Sequence, residues 1–290
     1  MSRRRMLILL LQVMVAVIVL LVWHVGATVP VHGVYILPQF FFSTPGDVAV
    51  RIWSLFADGT VKIVTCSEPI RVHGIMSISD PCFGKTVWQH LVITLVEGLL
   101  AFVIGAVLGI LFGFVFAVIP LLSQVFDPYI KMMNALPRVV LAPIFALWLG
   151  LGIWSKVALG ITLVFFIVFF NVYQGVKEVS PVVLANARML GMKRFTLFRH
   201  VFWPSALSWM FSSLHTSVGF AIIGAVVGEY LGSAAGLGYL IQQAEGTLDT
   251  TGVFAGMIIL AVFVLVIDWG VTLVEKRLLV WRPPAASGLL

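Results

Sequence analysis

The 290-residue chain is 61% hydrophobic and only 10% charged, with a formal net charge of +6 and a mean hydropathy of +1.10. Soluble domains carry about 25% charged residues and about 45–50% apolar ones, so water is not this chain's main solvent. Apolar runs recur near residues 6–25, 88–119, 139–151, 157–170, 206–228 and 253–274. Several reach the ~20 residues that a helix needs to cross a ~30 Å hydrocarbon layer, and the lumen-facing alternation of a barrel is absent. The pattern predicts an all-α polytopic membrane protein with about six transmembrane helices.

Residues 1–30 read as the first span. Arg3, Arg4 and Arg5 precede MLILLLQVMVAVIVLLVW, as in a secretory signal. No small-x-small cleavage site follows, since VGATVPVHG comes next, and the run reads as a retained helix. Residues 31–87 form the next segment. It turns at Pro38 and at Pro45-Gly46, continues into a short amphipathic stretch over 47–56, and ends in the most polar part of the chain. That polar part holds both cysteines, Cys66 and Cys82. Outside a bacterial inner membrane the compartment permits a disulfide between them; two unpaired small hydrophobes is the other reading.

Residues 88–282 form the core, followed by a tail over 283–290. In the second span Gly105, Gly109 and Gly113 are spaced by four, as are Gly224, Gly228 and Gly232 in the fifth. Small residues at that spacing line one helix face and let backbones approach, inside the protein or across a dimer. The third apolar region is interrupted by Pro137 and Pro143, with Arg138 between them. Such breaks are tolerated where neighbours or a watery cavity satisfy the freed backbone.

Between the fourth and fifth spans lies LANARMLGMKRFTLFRHVFWPSAL, with Arg188, Lys193, Arg194 and Arg199 within twelve residues. Ser180 is a natural cap, Pro181 suits a first turn, and Gly191 suits a left-handed stop, which predicts a short helix over 181–190. A second short helix over 193–201 would bring Phe195, Phe198 and Phe202 to one face, before Pro204 opens the fifth span. With six spans and both termini on one side, that side holds twelve of the eighteen Lys and Arg residues. The other side holds five, Lys156 among them, and Arg138 falls inside a span. The charge bias places both termini and the 178–204 segment in the cytoplasm. Topology therefore accounts for the basic balance, and no nucleic-acid partner is implied.

Catalytic motifs are missing. Gly84-Lys85-Thr86 resembles the end of a phosphate-binding loop, but the position of its first glycine holds Ser79 and no strand leads into it. HExxH, CxxC and G-x-S-x-G are absent, and the six histidines make no ligand-like cluster, so no metal site is read. Any ATP hydrolysis must come from another chain. Ionisable groups within spans are costly and mark candidate functional positions: Arg138, Glu97, Glu229 and Asp268 stand out as a candidate translocation path or gate. Arg138 would attract an anionic group, or pair with Glu97 or another carboxylate to hold helices together. Glu229 would brace an outer gate, and Asp268 would pair with a Lys or Arg of a neighbouring helix. Asn134, His215 and Ser217 are polar positions that either face the path or make helix–helix hydrogen bonds.

The run from Ala185 through Pro204 resembles the cytoplasmic "EAA" loop of binding-protein-dependent ABC importer permeases. Ala185, Asn186 and Ala187 stand for its opening triplet, Gly191 for its glycine, and Val201-Phe202-Trp203-Pro204 for its close, with both intervals intact. LPRVVLAPIFALWLGLGIWSK, VVGEYLGSAAGLGYLI, DTTGVFAG and EKRLLVWRP look like the nitrate/sulfonate/taurine branch of that family. The resemblance covers residues from about 86 to 282. Two departures stand out: Ala185 replaces the usual glutamate, and Trp203 the usual leucine.

The resemblance implies a type I ABC importer permease fold in a bacterial inner membrane. It implies a separate cytoplasmic ATPase subunit that binds ATP and Mg, a periplasmic solute-binding protein, and a homodimer surrounded by membrane lipid. The permease itself would hold no cofactor. Ala185, Asn186, Ala187, Arg188, Gly191 and Pro204 would make up the ATPase-coupling loop, and the solute would be a small anionic or organic molecule. An ion-coupled secondary transporter is the alternative. It would need coupling carboxylates near the midplane and often an internal repeat, which is not evident, and it would leave the docking-like segment unexplained.

Overall fold

The computed structural model describes residues 3–31, 34–57 and 86–278. The Cys66–Cys82 pairing and the 283–290 tail fall outside these residues. The chain builds α1 (Arg3–Thr28), α2 (Gln39–Phe42), α3 (Pro45–Ala57), α4 (Val87–Val118), α5 (Pro120–Ala135), α6 (Ala142–Leu149) and α7 (Ile153–Lys177). It continues with α8 (Pro181–Met189), α9 (Arg194–Leu197), α10 (Trp203–Gly232), α11 (Leu237–Gly246) and α12 (Thr250–Leu278). The β-structure among the described residues is a two-residue antiparallel pairing of Pro30–Val31 with Val34–Tyr35.

Among the described residues, five helices are long and apolar enough to cross a membrane: α1, α4, α7, the continuous Arg194–Gly232 helix, and α12. The third apolar region is not one straight span. α5 and the Arg138–Leu149 helix meet at a bend of 85°, and together they make the sixth crossing if counted as one. Proline chemistry explains the bend. Leu136, before Pro137, is forced out of the helical region to ψ 133°, and a 3-10 turn over Arg138–Leu141 restarts the chain.

The chain divides into two compact units. The first comprises residues 1–91 and 235–261. Here Thr44 starts α3: its Oγ1 donates to Asp47 Oδ2 at 2.7 Å and accepts the Asp47 N–H at 3.2 Å. Arg51, one turn on, reaches Asp249 at 2.9 Å. Asp249 also accepts the Gly252 N–H and so holds the start of α12. Buried His90 accepts the Gly236 N–H through Nδ1 at 2.9 Å. This bond holds Gly236 at φ +108°, a left-handed conformation that glycine alone adopts readily. Almost all of α1 is uncovered by protein, which for a helix apolar on every side means contact with lipid.

The second unit comprises residues 92–234 and 262–290. Its centre is the packing of α4, α7 and α10. In lipid, apolar burial does not drive helices together; close approach of backbones does. Both glycine rows serve this purpose inside the protein. A Cβ added at Gly105, Gly109 or Gly113 would lie 2.8–2.9 Å from the Cβ of Val164, Val168 or Val172 on α7. On α10 a Cβ at Gly224 would lie 2.5 Å from the Gly160 Cα, and at Gly228 2.7 Å from the Lys156 Cγ. Buried Phe114, Val164, Val168, Val172, Val176, Ala206 and Met210 fill the space between these rows.

Candidate functional site

Two features of the second unit bear on function. The first is the segment from Glu178 to Trp203. Pro181 starts α8 where no amide donor is needed. Ser180 makes no side-chain cap bond, contrary to its sequence reading, and contributes only its backbone carbonyl to Leu184 N–H. The far end closes as the glycine predicts. Gly191 takes φ +72°, its N–H bonds Arg188 O at 3.0 Å, and Met192 N–H bonds Ala187 O at 3.1 Å. This is a Schellman stop.

The expected second helix is not a separate element. α9 passes through a π turn over Phe198–Phe202 straight into α10. The wider turn sits immediately before Pro204, whose ring would crowd the carbonyl four residues earlier in a regular helix. Phe198 and Phe202 pack on the core, whereas Phe195 is exposed and does not join them. Trp203, which replaces a leucine of the family pattern, stacks on Phe114 at 5.3 Å, and Phe198 meets the same ring edge-on at 5.2 Å. The segment is therefore clamped to α4.

Within α8 only Ala187 is buried. Val182, Val183, Met189 and Leu190 are 48–79% exposed, and with Asn186 they fall on one stripe of the helix. Ala185, Asn186, Arg188, Lys193, Arg194 and Arg199 are exposed as well. α8 therefore presents an exposed apolar stripe edged by basic residues.

The second feature lies at the other end of the same bundle. Glu97 on α4, Lys156 on α7 and Glu229 on α10 are 0%, 2% and 1% exposed. Lys156 Nζ stands 3.4 Å from Glu97 Oε1 and donates to Leu151 O at 3.3 Å. Thr94 Oγ1 donates to Glu229 Oε1 at 2.6 Å. Each charged residue extends the inward row of its helix. Glu97 continues Gly113–Gly109–Gly105–Ala101, Lys156 continues Val168–Val164–Gly160, and Glu229 continues Ser217–Ala221–Ala225, all at steps of four.

Of the four path candidates, Glu97 and Glu229 thus come together. Arg138 does not pair with Glu97. It bonds Asn134, through both its carbonyl and its side chain, and lies 4.8 Å over the Phe166 ring, while its Nε has no hydrogen-bond partner. Asp268 pairs with His215 at 3.4 Å rather than with Lys or Arg, and its side chain is half-exposed. The Ser217 hydroxyl is buried without a hydrogen-bond partner. Sequence reasoning counted Lys156 as an outer-side charge and did not include it among the path candidates; the structure buries it beside Glu97. The signal for its burial was its place on the Gly160–Val164–Val168 row.

Residues 105–280 match the family described as the binding-protein-dependent transport system inner membrane component. The chain belongs to this family. Among its relatives are a putative aliphatic sulfonates transport permease protein of Bacillus subtilis, 31% identical over 81% of this chain and 85% of the relative. A formylaminopyrimidine transport permease protein of Halalkalibacterium halodurans is 32% identical over 84% of this chain and 95% of the relative. The taurine transport system permease protein of Escherichia coli is 29% identical over 82% and 88%. A chain of the inward-facing MetNI methionine ABC transporter shares the fold, with a TM-score of 0.52 and 19% identity over 66% of this chain and 93% of that one. The protein is a membrane-embedded permease component of an ABC transporter.

Proposed function

We propose that two copies of this chain enclose the path by which an ATP-driven importer brings a small anionic or organic solute into a bacterial cell. A periplasmic binding protein delivers the solute, and ATP and Mg are bound by a separate cytoplasmic ATPase. Both termini and α8 face the cytoplasm in this reading, as the Lys and Arg distribution favours. The observation that carries it is the exposed stripe Val182–Asn186–Met189–Leu190, held at a fixed angle by the Gly191 stop. Such a surface suits insertion into a cleft of a partner protein. It lies beside a helix that runs unbroken from Arg194 to Gly232, so displacement of α8 would be passed along α10 to the opposite end of the bundle. The cycle then amounts to a bundle with two states, biased by nucleotide and by loaded binding protein.

Arg138 is proposed to attract the anionic group of the solute. It sits at the 85° bend between α5 and α6, where the helical backbone is interrupted, and its Nε is without an acceptor. The solute itself is proposed as a sulfonate or related organic anion, since sulfonate and taurine permeases are among the relatives.

The test is co-purification of the tagged permease from its own cells in mild detergent. An ATPase should accompany the wild type and be lost from Gly191→Val. No atom lies within 4 Å of a Cβ at that glycine, so the substitution acts by disfavouring φ +72°, at about 1–2 kcal/mol or more for a β-branched residue. Arrival of the wild type alone, with proton-dependent uptake that needs no ATP, would support the secondary-transporter alternative instead.

A further inference from the structure

We propose that the groove between α4 and the start of the Arg194–Gly232 helix holds an acyl chain of an anionic phospholipid, whose phosphate is bound by Arg194 and Arg199.

Shape is the first argument. The groove has a volume of about 540 Å³, and every residue that lines it is apolar. Val107, Leu111, Phe114 and Val118 recur at steps of three and four and so form one face of α4, while Phe198 and Trp203 make the opposite wall. The Trp203 N–H bonds Phe198 O, the wide step of the π turn, and this brings the two rings together on the groove side. Phe114 lies buried against both rings as the floor. Val107, Leu111 and Val118 are 42–59% exposed, so the chain itself does not cover this face. From Val107 to Ile119 the helix rises about 18 Å, and one leaflet of the hydrocarbon layer is about 15 Å thick. The groove therefore has the length of an acyl chain that crosses a single leaflet.

Charge is the second argument, and it is independent. α4 and the Arg194–Gly232 helix run antiparallel, since Thr94 bonds Glu229 near one end and Phe114 stacks on Trp203 toward the other. Arg194 therefore lies at the Ile119 end of the groove, where both spans leave the hydrocarbon. Arg194 precedes Phe198 by four residues and Arg199 precedes Trp203 by four, so each arginine stands one turn from a groove-lining ring. Long side chains lean toward the N-terminus of their helix, which carries both guanidinium groups toward the membrane surface. Both arginines are exposed, and neither joins an ion pair among the described residues. A guanidinium matches a phosphate with two parallel hydrogen bonds. A free anion would gain nothing from the apolar groove, and a zwitterionic lipid would bring its own ammonium against the arginines. The combination selects a lipid whose headgroup is net negative. The site needs no assumption about which side of the membrane Arg194 faces.

The experiment is native mass spectrometry of the full-length protein, delipidated in mild detergent and titrated with phosphatidylglycerol or phosphatidylcholine of identical chains. A basic residue near an anionic headgroup contributes about fivefold in affinity. The wild type should therefore prefer phosphatidylglycerol by about twenty-five-fold, from two such residues. The preference should fall about fivefold in Arg194→Gln or Arg199→Gln and vanish in the double variant. Leu111→Trp, which fills the groove from an exposed position, should weaken both lipids alike, and excess inorganic phosphate should displace neither. Equal affinity of the wild type for the two lipids, or a preference that survives the double variant, would overturn the proposal. So would displacement by inorganic phosphate, which would mark a site for free anions. A lipid-free dimer that Leu111→Trp splits would give the groove to a second copy of the chain and overturn it as well.

Discussion

Gly109→Ala isolates the close approach of α4 and α7 from every other contribution. The added Cβ would sit 2.8 Å from the Val168 Cβ, 2.9 Å from the Phe165 carbonyl oxygen and 3.1 Å from the Phe169 backbone nitrogen. Carbon pairs prefer about 3.5–4.0 Å, so the helices must separate by somewhat under 1 Å. Two of the three clashing atoms are backbone and the third is the stem of a valine, so no rotamer change relieves them. Overpacking of this kind costs about 1–3 kcal/mol. Alanine returns about 1 kcal/mol of helix propensity, leaving a net loss of up to about 2 kcal/mol.

Gly270→Ala on α12 is the matched control. Nothing lies within 4 Å of its Cβ, so only the propensity gain remains, at up to about 1 kcal/mol. Thermal unfolding of the detergent-purified proteins should show Gly109→Ala melting below the wild type and Gly270→Ala at or above it. Equal melting temperatures for the two variants would show that the α4–α7 spacing is not set by the glycine row.

Other substitutions report on the functional features. Lys156→Met leaves the buried Glu97 carboxyl without its ion-pair partner and should destabilise by about 3–5 kcal/mol; adding Glu97→Gln should recover part of the loss, and unchanged thermal unfolding of the single variant would show that the ion pair contributes nothing. Met189→Asp places a charge on the exposed α8 stripe; its own stability should change by less than about 0.5 kcal/mol, while ATPase association should weaken by about 2 kcal/mol, measured by titration of ATPase onto the nanodisc-embedded permease. Arg138→Gln should reduce uptake of an anionic solute on the order of tenfold, about 1.4 kcal/mol, with normal membrane assembly; unchanged uptake would remove Arg138 from the path.

Much of this protein is legible in one dimension because lipid imposes a simple rule: backbone polar groups must be satisfied within each segment, so long apolar runs become helices wherever they occur. The α8 stop was legible for an equally local reason, since Gly191 alone in its neighbourhood tolerates φ +72° without strain. Local chemistry also misled where two local rules competed. Pro204 reads as a helix start, yet the chain runs helically through it, because a π turn over Phe198–Phe202 absorbs the ring and the Phe114–Trp203 stack holds the continuous helix in place.

The partners of the intramembrane charges were not legible, although the helix face that three of them occupy was. Glu97, Lys156 and Glu229 each lie on the inward row of a helix, which a reading at steps of four can find. Arg138 looked equally suited to Glu97 but found Asn134 and Phe166, and Asp268 found His215. Sequence spacing determines which face of a helix a side chain occupies. Which charge meets which depends on the rise and rotation of one helix against the next, and that is set by glycines and valines in contact across the interface, which only the tertiary structure brings together.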